Sequence, residues 1–190
     1  MKNNTLLFDK FGIIQIDHKI ANIFIVFIGS LLIGVLAQVS ITLPFSPIPI
    51  TGQTIGVVLV GGLLGARRGA LSIFCYLLEG ASGLPVFAQM KAGTQVLIGP
   101  TAGYLWGFVI AAFVIGYLAE RGFTNTLIKC YISCFIATTI ILIAGTFYLS
   151  IFKGIHDALY IGFYPFFIGD IVKSAICATL LLSIRKINHL

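Results

Sequence analysis

Charged side chains are scarce in this chain, at 9% of 190 residues, where a soluble domain carries roughly a quarter. With 58% hydrophobic residues and a mean hydropathy of +1.06, a soluble globular fold is excluded. Acidic residues are the rarer sign, six against twelve Lys and Arg. In a soluble chain that excess would point to nucleic acid. Here the positive residues fall in short runs between apolar stretches, where they set membrane topology instead. The chain has no GxxxxGK[ST] phosphate loop, no HExxH and no GxSxG, which removes the residues for ATP hydrolysis, zinc proteolysis and serine-nucleophile chemistry. Its three histidines, His18, His156 and His189, are scattered outside the apolar stretches, and its four cysteines form no CxxC pair. Neither a resident metal nor a cofactor is expected, and the cysteines read as small lipid-compatible fillers.

What is present is apolar length. A spanning helix takes about 20 residues, so the chain has room for six short-looped spans and no second domain. The expected architecture is an all-α integral membrane bundle over 1–190. Residues 1–19 mix lysines and aspartates with Leu, Ile and Phe and suit a segment lying at the membrane surface. The first span is expected over 20–43. This stretch is too long and uninterrupted for a cleaved signal, and it stops at Pro44, Pro47 and Pro49. Further spans are expected over 52–64, 68–78, 100–118, 126–149 and 165–184. The Gly-rich stretch 79–99 cannot span and is expected to fold back over the helices as a lid. The aromatic-rich 150–164 is expected to be a connection. Nine Lys and Arg fall on one side of the alternating spans and only Lys91 and Lys153 on the other, which places both termini in the cytoplasm of a multi-pass inner or plasma membrane protein.

The twelfth cation, Lys173, lies inside the last span, three residues after Asp170 and on the same helical face. Charges at such depth are costly, at least ~2.5 kcal/mol each on insertion scales, and face a cavity or a partner. Counting from Pro165 at ~1.5 Å per residue puts Asp170 ~8 Å and Lys173 ~12 Å below the outer helix end. One reading is a structural ion pair between helices. The other is a pocket loaded from outside, in which an acceptor and a donor side by side meet a ligand presenting N–H and C=O together, as a cyclic urea does. Gln53 starts the second span as either a cap or a ligand contact. Glu79 is either solvated or at the pocket, and Lys91 is either a solvated lid lysine or the holder of an anionic ligand tail. Phe45, Phe87, Tyr104 and Trp106 either wall the pocket or belong to the interfacial aromatic belt. Gly99, Gly103, Gly107 and Ala111 form a small-residue stripe that predicts close helix packing, and Ser30 with Gly34 forms a shorter one.

Four segments in order, PIPITGQ (47–53), GLPVFA (83–88), GPTAGYLWGF (99–108) and PFFIGDIVK (165–173), resemble the BioY family, the biotin-binding S components of energy-coupling-factor (ECF) transporters. The resemblance covers nearly the whole chain. It implies a six-helix S-component bundle that takes up biotin and is not itself an enzyme. The partners implied are a transmembrane T component and two ATP-binding cassette subunits, with lipid around the bundle and no nucleic acid. By carry-over, Asp170 and Lys173 hold the ureido ring, Gln53 matches the family's loop glutamine, and Lys91 falls in the segment tied to ligand closure and the valerate end. Docking to the T component would run through Ser30 and Gly34. Two departures stand out: Gln89, Met90, Lys91, Ala92 and Gly93 replace a glycine cluster in the lid, and Ser30 and Gly34 replace a double alanine. The competing readings are an S component for another vitamin and a structural membrane subunit whose Asp170 and Lys173 only bridge helices.

Overall fold

The computed structural model describes residues 18–188, so the segment expected at the membrane surface falls, up to residue 17, outside the described residues. Helix α1 (His18–Gln38) leads into a hairpin of β1 (Ser40–Leu43) and β2 (Ser46–Thr51), followed by α2 (Gln53–Leu64) and α3 (Ala66–Ala81). Two single 3-10 turns, Ala88–Met90 and Thr94–Leu97, are the only regular pieces of the 82–101 loop. Helices α4 (Ala102–Glu120) and α5 (Leu127–Lys153), a short α6 (Ile155–Ala158), a π-turn (Leu159–Phe163) and α7 (Tyr164–Asn188) complete the described chain. Among the described residues, four stretches are long and apolar enough to cross a membrane: Lys19–Gln38, Ala102–Glu120, Leu127–Lys153 and Ile155–Lys186. At 12 residues α2 reaches only ~18 Å.

Two expectations are corrected here. The first span does not continue to residue 43. It ends at Gln38, because Ser40, Ile41 and Leu43 extend and pair antiparallel with β2 in the register Ser40↔Thr51, Ile41↔Ile50 and Leu43↔Ser46. Pro47 and Pro49 have no N–H to donate, which suits them only to an edge strand, and in a two-stranded hairpin both strands are edges. The aromatic stretch 150–164 is not a loop either. Gly154, with φ +78°, ends α5, and the chain resumes helix one residue later in α6 and the π-turn.

Helix α4 packs against α2, α3 and α5, while α1 lies on α2 and α3, and α7 on α2 and α5. The glycine stripe finds its partner in α5. A Cβ on Gly107 would come within 3.1 Å of Ala144 Cβ, and one on Gly103 would press on the backbone oxygen of Ala144 at 2.7 Å. A buried contact of 3.0 Å between Thr138 Oγ1 and Ser174 Oγ joins α5 to α7. Facing outward is a surface of Ile23, Phe24, Val35, Phe147, Ile151 and Ile168, far more apolar than water tolerates over so wide an area.

At the end of the bundle away from the hairpin, charged side chains cap the α2–α3 elbow. Glu120 Oε1 accepts the backbone N–H of Ala66 at 2.8 Å, an unpaired donor in the first turn of α3 that favours a negative group. Arg185 Nη2 donates to the carbonyl of Gly62 at 3.0 Å in the last turn of α2, where carbonyls lack helical partners. Replacing Glu120 with alanine is expected to cost about 1 kcal/mol. That should lower the unfolding temperature of the purified protein by roughly 2–4 °C without changing ligand affinity.

Candidate ligand-binding cleft

Beneath the hairpin and the 82–101 loop lies a cleft that opens to solvent. Its walls come from β2, the first turn of α2, the lid, α4, α5 and α7. Most of the lining is apolar, with Ile48, Leu105, Phe108, Ile141 and Phe166 among the wall residues. The polar groups are few and sit apart, as in a site that orients a mostly apolar ligand.

Asp170 is one of them. Only 6% of its surface is exposed, and its Oδ2 is buried with no hydrogen-bond partner. A buried acceptor left unmade costs on the order of 1–3 kcal/mol, so the fold carries this group at a loss unless something else meets it. Lys173 does not meet it by direct hydrogen bonding. Its Nζ donates to the carbonyl of Thr51 at 3.0 Å, tying α7 to the end of β2, and two of its three donors stay free for the cleft. The mutual bridge that a purely structural pair requires is therefore not how these side chains are arranged.

Gln53 is buried at the cleft wall. Its Oε1 accepts from Thr51 Oγ1 at 3.1 Å and its Nε2 donates to Tyr76 Oη at 2.5 Å. The amide is thus held in one orientation, with one N–H and one lone-pair direction left over. Tyr104 lines the cleft with its ring, while its hydroxyl donates to the carbonyl of Gly162 at 2.8 Å in the π-turn. That ring lies against Gly145, and the hydroxyl would be 2.7 Å from a Cβ on Gly162. Two glycines therefore make the slot, and a π-turn supplies the displaced carbonyl.

Phe87, 1% exposed, plugs the lid into the bundle. Its ring fills the space above Gly80, where a Cβ would overlap it, and meets Tyr76 edge-on at 5.5 Å. Lys91 is exposed and lines both the cleft and a shallower outer basin that continues past Gln95, Gly99 and Pro100. It stands where a ligand tail would leave the cleft.

The cleft thus brings together Asp170, Lys173, Gln53, Lys91, Tyr104 and Phe87. Other expected residues lie elsewhere. Glu79 turns away to α1, where its Oε1 accepts from Ser30 Oγ at 2.7 Å and Cys75 Sγ at 3.4 Å. Phe45, at the hairpin turn, is 59% exposed and not part of the lining. Trp106 also points outward, its Nε1 donating to the carbonyl of Leu97 at 3.2 Å. Ser30 is fully buried beside Glu79, and a Cβ on Gly34 would lie 3.6 Å from Val86 of the lid. Ser30 and Gly34 are thus both buried against neighbouring parts of the chain.

Sequence reasoning missed Tyr76 and Gln38. Tyr76 carried one available signal, a phenolic hydroxyl on the buried face of a short helix. Gln38 is the last residue of α1, whereas the expected first span, 20–43, placed it inside the helix.

The sequence model of the BioY family matches residues 8–189. A biotin transporter BioY of Thermotoga maritima is 41% identical over 152 residues, covering 78% of this chain and 87% of that protein. The BioY2 biotin transporter of Lactococcus lactis is 34% identical over 177 residues, covering 91% and 95%. Among solved structures, the S component for biotin from an ECF-type ABC transporter superposes with a TM-score of 0.79 over 92% of this chain and 95% of that one. At 24% identity it speaks for the fold alone.

Proposed function

The chain belongs to the BioY family, and on that footing we propose that it binds biotin in the cleft beside Asp170 as the substrate-specific component of an ECF-type transporter. The observation that carries this reading is the unpartnered, buried Oδ2 of Asp170 in a largely apolar cleft. A ureido ring presents N–H donors for that oxygen and a carbonyl for the free donors of Lys173. The fused ring system and the aliphatic tail suit Phe87, Tyr104, Leu105 and Phe108. The tail carboxylate is then left near Lys91 at the mouth.

The protein sits as a multi-pass bundle in the cell membrane, hairpin and lid outward and both termini cytoplasmic, so that the cleft loads from outside. Six membrane helices form one domain, α6, the π-turn and α7 counting as one continuous stretch, with α2 and α3 shorter than the bilayer and closed over by the hairpin and lid. Driving the cycle falls to partner subunits, a T component and two ATP-binding cassette proteins, since no phosphate loop is present in this sequence. Titrating the detergent-solubilised protein with biotin is expected to give saturable binding at micromolar concentration or below, undisturbed by excess riboflavin or thiamine. Absence of saturable binding at micromolar biotin would overturn the proposal. Displacement by another vitamin would reassign the substrate.

A further inference from the structure

Tyr76 touches neither the cleft nor solvent: it is fully buried and absent from the cavity lining. A phenylalanine would fill the same space, yet the hydroxyl is engaged on both sides. It accepts from Gln53 Nε2 and donates to the carbonyl of Val86 in the lid at 3.2 Å. On the cleft side, Gln53 is held by Thr51 Oγ1, and the carbonyl of Thr51 receives Lys173 Nζ. On the lid side, Gln38 Nε2 reaches the carbonyls of Val86 and Phe87 at 3.3 and 3.2 Å, and its Oε1 accepts the N–H of Met90 at 3.1 Å. Gln89 and Met90 both have positive φ, 62° and 56°, a conformation that costs a non-glycine residue roughly 1 kcal/mol or more and persists only when its surroundings hold it.

We propose that Tyr76 is a positioning residue that links the polar end of the cleft to the closed lid, with Gln38 holding the lid's strained tip from the other side. The donors between Gln53 and Val86 all point the same way, from the cleft toward the lid. A ligand that fixes Gln53 and Lys173 therefore also fixes the acceptor side of Tyr76. Hydrogen bonds in such a series strengthen one another. Phe87 follows Val86 directly and is the lid's plug into the bundle, so a tether at Val86 keeps the plug seated. The ligand in this coupling rests on the biotin reading above, whereas the tether itself is present without ligand.

The experiment compares wild type with Tyr76→Phe by amide hydrogen exchange, with and without biotin, and by biotin dissociation kinetics. The variant keeps the ring against Phe87 and loses only the hydroxyl. Exchange at residues 86–91 is expected to rise about fivefold in the ligand-free variant, as for one hydrogen bond lost, with α4 and α5 unchanged. Biotin is expected to leave about fivefold faster while its association rate stays the same. Gln38→Ala is the second variant, expected to speed lid exchange by a comparable factor should Tyr76→Phe express poorly. Lid exchange equal to wild type in the ligand-free variant would overturn the proposal, as would a rise spread equally over lid and helices, which marks a merely structural hydroxyl. Wild type showing no response to biotin would refute the ligand assignment alone, because the ligand-free exchange still decides the role of Tyr76.

Discussion

Replacing Asp170 with asparagine is expected to raise the dissociation constant for biotin by roughly 5- to 150-fold, equivalent to about 1–3 kcal/mol for a buried polar partner lost. It should do so without lowering the stability of the ligand-free protein. The two halves of that expectation have one cause. In the absence of ligand Oδ2 of Asp170 has no partner, so exchanging its carboxylate for an amide of the same shape breaks no hydrogen bond at that oxygen. With ligand present, the amide turns an N–H toward a ligand N–H, or turns its single oxygen there and leaves its own donors unmet. Calorimetric titration together with thermal unfolding in detergent measures both halves. An unchanged affinity would remove Asp170 from the site. A large loss of ligand-free stability would make it a structural group instead.

How much of this was legible beforehand differs from residue to residue. Asp170 and Lys173 stood out because a charge in an apolar run has a large cost and few explanations. The sequence left open whether the two would satisfy each other, since that depends on Thr51, 122 positions earlier in the chain. The stripe of Gly103 and Gly107 predicted close packing, but its partner, α5, is a matter of tertiary arrangement. The hairpin was missed because Val39, Ile41 and Leu43 are as apolar as any spanning residue, and hydropathy over a window carries no phase to separate strand from helix. The helical stretch before α7 was missed because a run of Phe and Tyr between two spans suits a connection as well as a helix, and its two glycines play different parts. Gly154 is a break, whereas Gly162 lies inside the π-turn and makes room for Tyr104. Glu79 lies outside the cleft lining: its height along the bundle was legible and its direction around α3 was not. Facing Ser30 or facing the cleft differs only in how α3 is rotated against α1. In the lid, Gln89 and Met90 replace glycines that the family resemblance led one to expect. These are the two non-glycine positions with positive φ among the described residues, so the substitution trades backbone ease for strain that Gln38 must hold.

The largest structural effect is expected where three helices meet almost backbone to backbone. A Cβ placed on Gly61 of α2 would lie 2.6 Å from the carbonyl oxygen of Ala112 and 2.9 Å from its Cα, both on α4. A Cβ on Gly69 of α3 would lie 2.7 Å from the Cα of Gly61. Neither obstacle is a flexible side chain that can swing aside, so Gly61→Val has to push α2 off α4. Overpacking of this kind costs about 1–3 kcal/mol, and occasionally more. Between helices in lipid there is little hydrophobic force to draw them back, because close packing itself supplies the attraction. The temperature at which half the protein stays monodisperse after heating in detergent should therefore fall by roughly 2–12 °C. Biotin affinity should fall with it, since α2 carries Gln53 into the cleft wall. Gly169→Ala on α7 is the matched control. A Cβ there meets nothing within 4 Å, and alanine is the better helix former by about 1 kcal/mol, so its stability should hold or rise even though the residue lines the cleft. Equal thermal profiles for wild type and Gly61→Val would mean that α2 and α4 do not touch at Gly61, and the short helix that holds Gln53 in place would then need another support.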